Sequence, residues 1–270
     1  MTASTRELLD AAVAIARRAG EAILEVYEGR YQVTLKDDDS PLTQADLASH
    51  AVITDALAGL EPRCPVLSEE SAHIPAEVRR AWPRYWLVDP LDGTREFVSR
   101  NGEFTVNIAL IDGHEPVLGV VHVPVSGVTY TGIVGRGANR REPGGDARAI
   151  RVRTPCADPV VVVGSRSHAN PEMEKYLQPL GRYELVSMGS SLKFCVLAEG
   201  QADFYPRLGP TSEWDTAAAH AVVLAAGGRI VQLDGRPLRY NTKASLLNPE
   251  FLVIADAERD WLSLFQGYPS

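Results

Sequence analysis

The order of apolar patterns predicts a mixed fold, α+β in the first part of the chain and α/β in the second. Two observations predict it. Between residues 84 and 131, β-type runs follow one another across Gly, Pro and Asp turns, as in an antiparallel sheet. Beyond residue 150, short β-type runs alternate with helical patterns, as in an α/β layer with a mixed sheet. A soft boundary near residue 150 separates residues 1–150 from 151–270. A chain of 270 residues is long enough for one large domain or two smaller ones sharing an interface.

Residues 4–28 read as an amphipathic helix opened by a Ser4/Glu7 capping box, with Leu8, Ala12, Ile15, Ala19, Ile23 and Val26 at helical spacing. Residues 43–58 read as a second helix, opened by Thr43 and closed at Gly59. Strands are expected at Trp86–Val88, Thr105–Ile111, Val117–Val123 and Val128–Thr131. The Gly-, Arg- and Pro-rich segment 135–148 reads as a surface excursion. Val160–Val163 reads as a buried strand; helices near 171–179, 190–199 and 213–226 alternate with strands near 184–188, 202–206, 229–232 and 251–255.

Composition narrows the function. Hydrophobic residues make up 45% and charged residues 23%, ordinary for a soluble globular chain. The first residues are interrupted by Arg6, Glu7, Asp10, Arg17 and Arg18, so neither a signal peptide nor a membrane span is expected. Three dispersed cysteines, Cys64, Cys156 and Cys195, argue against a disulfide framework or thiolate metal site and fit a reducing cytoplasm. A net charge of -8 with no basic run disfavours a nucleic-acid polymer as partner. A small phosphorylated ligand remains compatible if metal ions or a few placed cations receive it.

The informative segment is Trp86-Leu87-Val88-Asp89-Pro90-Leu91-Asp92-Gly93-Thr94. A buried strand is expected to end at Asp89, where Pro90 turns the chain. Two carboxylates then stand beside Gly93 and a helix start at Thr94, whose exposed N–H groups favour phosphate. Carboxylates beside a phosphate site require cations between them, and hard oxygen ligands select magnesium or a similar ion. Taken alone, an Asp-Pro-x-Asp run more often only caps a turn. Ser68-Glu69-Glu70-Ser71, Thr43-Gln44-Ala45-Asp46 and Glu213-Trp214-Asp215-Thr216 each have an equally plain reading as an acidic turn or helix start. Their occurrence together points to a site.

Ser68-Glu69-Glu70-Ser71, Asp89-Pro90-Leu91-Asp92-Gly93-Thr94 and Trp214-Asp215-Thr216-Ala217-Ala218 together resemble the inositol monophosphatase superfamily, from about residue 5 to residue 255. Arg84–Thr94, Gly189-Ser190-Ser191-Leu192-Lys193-Phe194-Cys195 and Asn101-Gly102-Glu103-Phe104-Thr105-Val106-Asn107 are narrower, and resemble the bacterial CysQ branch of 3'(2'),5'-bisphosphate nucleotidases. The resemblance implies a layered αβαβα sandwich of the sugar-phosphatase type. It also implies hydrolysis of the 3'-phosphate of adenosine 3',5'-bisphosphate to AMP and phosphate, a reaction of sulfur assimilation. It implies two or three Mg²⁺ ions and lithium sensitivity. Glu69, Asp89 and the Leu91 carbonyl would hold one ion, Asp89, Asp92 and Asp215 a second, and Glu69 with water a weaker third. Gly93 and Thr94 would bind phosphate; Thr94 and Asp46 would orient and deprotonate the attacking water, with Glu69 counted among the catalytic residues. Ser68 and Ala219 stand where relatives have Gly; neither change removes a ligand, and Ala219 bears on the packing of its helix.

The substrate carries about four negative charges, so the phosphate that is not cleaved needs its own partners. The resemblance assigns His168, Ser190, Lys193 and Arg207 to the 5'-phosphate and adenosine. Read without it, Lys193 is equally a solvated helix-face residue and Arg207 a surface ion pair. Two other functions are open at this stage. One is an inositol monophosphatase or fructose-1,6-bisphosphatase; the other is a non-catalytic nucleotide- or metal-binding regulator, which would have lost one of Asp46, Glu69, Asp89, Asp92, Thr94 or Asp215. A cytoplasmic protein, homo-oligomeric or peripheral on the inner face of the membrane as some relatives are, fits all of this.

Overall fold

The computed structural model describes residues 3–29, 33–35, 41–166 and 173–268. Helix α1 (Thr5–Glu28) opens on the capping box: Glu7 N donates to Ser4 Oγ and Ser4 N to Glu7 Oε2. Its buried stripe is Leu8, Ala12, Ile15, Ala19 and Ile23. A two-stranded ribbon, β1 (Val33–Leu35) and β2 (Pro41–Thr43), leads into α2 (Gln44–Ala58).

Strands β3 (Val66–Ser68), β4 (Arg84–Asp92), β5 (Thr105–Asp112), β6 (Glu115–His122), β7 (Thr129–Ile133), β8 (Gly137–Arg141) and β9 (Ala147–Ile150) form a seven-stranded sheet in chain order. The short helices α3 (Ala76–Arg79) and α4 (Thr94–Val98) lie in its connections. The sheet is antiparallel except for β3, which runs parallel to β4 because the 69–83 connection crosses over. Segment 135–148 is not a surface excursion. It supplies β8, β9 and their turns; the pattern hid them because an edge hairpin with Asn139, Arg140 and Arg141 has no apolar alternation.

The second sheet has the order β11-β10-β12-β14-β13, from β10 (Val160–Ser165), β11 (Tyr183–Met188), β12 (Phe204–Arg207), β13 (Arg229–Gln232) and β14 (Phe251–Ile254). It mixes parallel and antiparallel pairs. Helix α5 (Met173–Leu177) precedes β11, α6 (Leu192–Ala198) follows it, and α7 (Glu213–Ala225) precedes β13.

The layers follow from which faces are apolar. Trp86, Val88, Ile108 and Val120 pack on α1 and α2, whereas Tyr85, Leu87, Ala109 and Val121 face α6, α7 and the second sheet. Tyr176 of α5, Trp261 and Phe265 close the outer face of the second sheet. The result is a layered αβαβα sandwich. With both faces of the first sheet covered, β4 and β5 are almost wholly buried, which explains their unbroken apolar runs.

Helix α7 follows the boundary in sequence but packs on β5, β6 and β7 of the first sheet. Gly119 and Gly132, paired across β6 and β7, make the groove for it: a Cβ on Gly119 would lie 2.1 Å from the Ala218 carbonyl oxygen, and one on Gly132 2.8 Å from that of Ala221. Facing them, Ala218, Ala221 and Ala225 keep the helix close. Ala219 itself is buried without disturbing this approach.

Candidate active site

Strand β4 does not end at Asp89, as the proline suggested, but runs on to Asp92 across a bulge. Asp89 pairs with Asn107 and Asp92 with Thr105, so β4 has one more residue than β5 over this stretch. Pro90 is tolerated where the ladder is interrupted. Leu91 N donates to Asp89 Oδ1 (3.0 Å), and Ser49 Oγ donates to the Pro90 carbonyl (2.6 Å). Gly93 turns the chain at φ +92°, tight against Ser190 and the Glu103 carbonyl, and Thr94 starts α4.

The bulge aims Asp89 and Asp92 at the start of α7. Carboxylate oxygens of Asp89, Asp92 and Asp215 lie within 4.8 Å of one another. Asp215 accepts from Ser212 N (2.8 Å), so it caps its helix as well. Burial, then the negative charges of Asp92 and Glu69, hold its carboxyl well above the usual carboxylate range. Glu69, at the end of β3, lines the same cleft. Carboxylates crowded in this way repel one another, and a hard divalent cation among their oxygens would relieve both the repulsion and the desolvation. The donor set therefore fits a magnesium-type ion.

Helix α2 holds three parts of this site from one face. Asp46 Oδ1 lies 3.4 Å from Thr94 Oγ1, while Asp46 Oδ2 accepts from Thr43 N (2.8 Å) and Thr43 Oγ1 (2.6 Å). Asp46 is thus a helix cap and a neighbour of Thr94 at once. Ser49, one turn on, holds the Pro90 carbonyl; His50 Nδ1 lies 2.9 Å from Ser68 Oγ, next to Glu69. Spacing of three and four residues puts all three on one side of the helix.

The Gly189-Ser190-Ser191 turn grips Asp92. Asp92 Oδ2 accepts from Ser190 Oγ (2.6 Å) and Ser191 N (2.6 Å), and Ser191 Oγ lies 2.8 Å from it. Thr105 and Asn107 of β5 reach the two serine hydroxyls at 2.8 and 2.9 Å. Ser190, assigned to substrate from the sequence, thus spends its hydroxyl on Asp92. Ser191, Asn107 and Thr105 escaped notice as site residues; the paired serines directly before a helix were the available signal. A second grip joins the two halves of the chain: Arg166 binds Glu103 through two 2.8 Å hydrogen bonds, and Glu103 also accepts from Gly189 N (2.7 Å).

Lys193 is not on a solvated helix face. It is 7% exposed and donates to the Ser190 carbonyl (2.5 Å). Burial pulls its pKa down to about 8, opposed by Asp92 and helped by Arg207. Arg207 donates to the carbonyls of Gly209 (3.2 Å) and Pro210 (2.8 Å), with no ion pair among the described residues. Both line a cleft of about 360 Å³ together with Glu69, Asp89, Asp92 and Thr94. Leu91, Gly93, Ser190 and Asp215 line it too, whereas His168 lies outside the described residues.

Residues 4–261 match the model of the inositol monophosphatase family. The chain is 54% identical over 249 residues to the 3'(2'),5'-bisphosphate nucleotidase CysQ of Escherichia coli (strain K12), covering 91% of this chain and 99% of that protein. It is 36% identical to the protein of the same name from Haemophilus influenzae, over 98% and 99% of the two chains. The crystal structure of CysQ from Bacteroides thetaiotaomicron, described as a bacterial member of the inositol monophosphatase family, superposes with a TM-score of 0.83 at 42% identity, over 95% of this chain and 99% of that one.

Proposed function

The chain belongs to the inositol monophosphatase family, and within that family we propose that it is a metal-dependent 3'(2'),5'-bisphosphate nucleotidase, which hydrolyses the 3'-phosphate of adenosine 3',5'-bisphosphate to AMP and phosphate. The observation that carries the substrate class is one cleft with carboxylates at one side and the cations Lys193 and Arg207 also in its lining. A substrate with two phosphates uses both features; a monophosphate uses only the first. The similarity to the CysQ nucleotidases over nearly their whole length supports the same reading.

Glu69, Asp89, the Leu91 carbonyl, Asp92 and Asp215 would hold Mg²⁺. Bound there, the ions would neutralise the carboxylates, make water more acidic and offset charge building on the phosphoryl oxygens. Asp92 presents one oxygen to the cleft because its other is fixed by Ser190 and Ser191. The Gly93 and Thr94 N–H groups would receive phosphoryl oxygens. Thr94 Oγ1 accepts a hydrogen bond from the attacking water while its own proton points to Asp46 Oδ1, the acceptor that draws the proton from the nucleophile. Water's oxygen bonds to phosphorus, the bond from phosphorus to the ribose 3'-oxygen breaks, and that oxygen takes a proton from solvent water to leave as the hydroxyl of AMP, while Asp46 returns the proton it drew to solvent. Lys193 and Arg207 hold the other phosphate throughout.

The test is phosphate release with Mg²⁺ from adenosine 3',5'-bisphosphate, inositol 1-phosphate and fructose 1,6-bisphosphate, each with and without excess EDTA. Preference for the nucleotide, abolished by the chelator, is expected. Preference for either sugar phosphate overturns the substrate; full turnover in EDTA overturns the metal chemistry.

A further inference from the structure

A second concavity, of about 280 Å³, lies on the opposite covering of the first sheet, between α1 and strands β7–β9. It shares no lining residue with the catalytic cleft. Its sheet wall is a small grid set by strand register. Thr129 stands between His122 and Arg141 in one row, and Thr131 stands beside Asn139 in the next. Arg17 approaches the first row from α1, close enough for its charge to act on His122. Two guanidinium groups, Arg17 and Arg141, therefore flank Thr129.

Among the described residues, neither guanidinium has a hydrogen bond or a carboxylate partner. The contrast with their neighbours is sharp. Arg6, at the rim, is paired with Asp10 (3.2 Å), and Arg140, on the other face of β8, is paired with Glu142 and Glu199. His122 adds no charge: burial, with Arg17 beside it, lowers its pKa to about 4. Two half-buried cations thus face one cavity in a chain whose net charge is -8. Thr131 and Asn139 add side-chain donors with no partner of their own among the described residues. A planar guanidinium donates to oxyanions through two parallel N–H groups, and two such forks match a dianion.

We propose that this cleft is a second ligand site, independent of the catalytic one, for a small doubly charged oxyanion of the phosphate type, inorganic phosphate or the phosphate of a phosphomonoester. Arg17 and Arg141 supply the charge, and Thr131 and Asn139 the neutral donors. The proposal does not rest on the nucleotidase reading.

It is tested by calorimetric titration of the full chain with inorganic phosphate and, separately, AMP, in EDTA. Without metal, the carboxylates of the catalytic cleft repel anions, so binding reports on the second site. Saturable binding by wild type is expected, weakened about 10- to 100-fold in Arg17→Ala and Arg141→Ala, each a lost hydrogen bond to a charged group. Lys193→Ala should bind as wild type does. Tighter binding of AMP than of phosphate assigns the site to a phosphomonoester; equal binding assigns it to free phosphate. Absence of saturable binding, indifference to both arginine substitutions, or loss in Lys193→Ala overturns the proposal. Thermal unfolding in phosphate-free buffer checks that the variants fold. Arg141→Lys, which keeps the charge and loses the fork, serves in their place if they do not, with intermediate affinity expected and unchanged affinity counting against the site.

Discussion

Asp46 divides its carboxylate between two tasks: Oδ2 is held by Thr43 at the start of α2, and Oδ1 faces Thr94 at 3.4 Å. The two tasks separate by substitution. Asp46→Asn keeps an oxygen for the cap and loses the proton acceptor, so kcat should fall roughly 10²–10⁴-fold with little change in KM or Tm. Asp46→Ala should add a stability loss of about 0.5–2 kcal/mol from the lost cap. Thr94→Ala should lower kcat in the same manner. Steady-state kinetics beside urea unfolding check this, and a kcat within about twofold of wild type in Asp46→Asn would leave that residue as a cap alone.

Lys193 and Arg207 should matter for one phosphate only. Truncating either should lower kcat/KM for adenosine 3',5'-bisphosphate about tenfold to a hundredfold, the worth of one hydrogen bond to a charged group. Inositol 1-phosphate, with one phosphate, should be nearly unaffected. The measurement is kcat/KM for both substrates in wild type, Lys193→Ala and Arg207→Ala; equal losses on both substrates would return these cations to a general structural role.

The contact between His50 and Ser68 (2.9 Å) braces the strand end that presents Glu69. Removing it with His50→Ala or Ser68→Ala should raise the Mg²⁺ concentration for half-maximal activity, by a factor of about 2–10 for one hydrogen bond of roughly 0.5–1.5 kcal/mol. At saturating Mg²⁺, kcat should stay within about twofold. The double variant should be no worse than either single one, because both remove the same contact. Additive losses would show that the two side chains act separately.

Two buried histidines set an acid limit on stability. His220, bonded to the Tyr240 hydroxyl (2.9 Å), has its pKa lowered by burial to about 3, and His122, by burial and then Arg17, to about 4. Both are neutral in the fold and take up protons in the unfolded chain below about pH 6.5. Their contribution is whole above that pH and is lost as pH falls from 6.5 toward 4 and 3, at about 1.4 kcal/mol per pH unit for each. In urea unfolding at pH 7 and pH 4.5, the stability advantage of wild type over His220→Gln should shrink by roughly 2–3 kcal/mol. A constant advantage would mean that His220 is solvated enough to titrate normally.

What the sequence made legible was local. The Ser4/Glu7 cap, the apolar stripe of α1 and the runs that became β4 and β5 depend on neighbours within a turn or on burial of both faces. The convergence of Asp89, Asp92 and Asp215 was readable because Asp92 ends a strand, Asp89 stands at the proline bulge just before it and Asp215 lies in the first turn of a helix, and such positions gather at one edge of a layered fold. The hairpin of β8 and β9 was not readable, since an exposed edge imposes no apolar period. Nor was the path of β4 beyond Pro90, which the bulge opposite Thr105–Asn107 permits. The turn of Ser190 and Ser191 onto Asp92, and the burial of Lys193, depend on contacts about 100 residues apart in sequence. A pattern of residue types cannot say which way a hydroxyl or an ammonium faces.

The groove of Gly119 and Gly132 also has a bearing on synthesis. Its two strands are in the chain by Ile133, yet the helix that fills it starts at Glu213, about 80 residues later, bringing Asp215. A chain without α7 has no Asp215, one of the three carboxylates of the cluster. A chain cut before α7 would therefore lack both the filler of this groove and the third carboxylate of the cluster, and under the proposed mechanism it should release no phosphate.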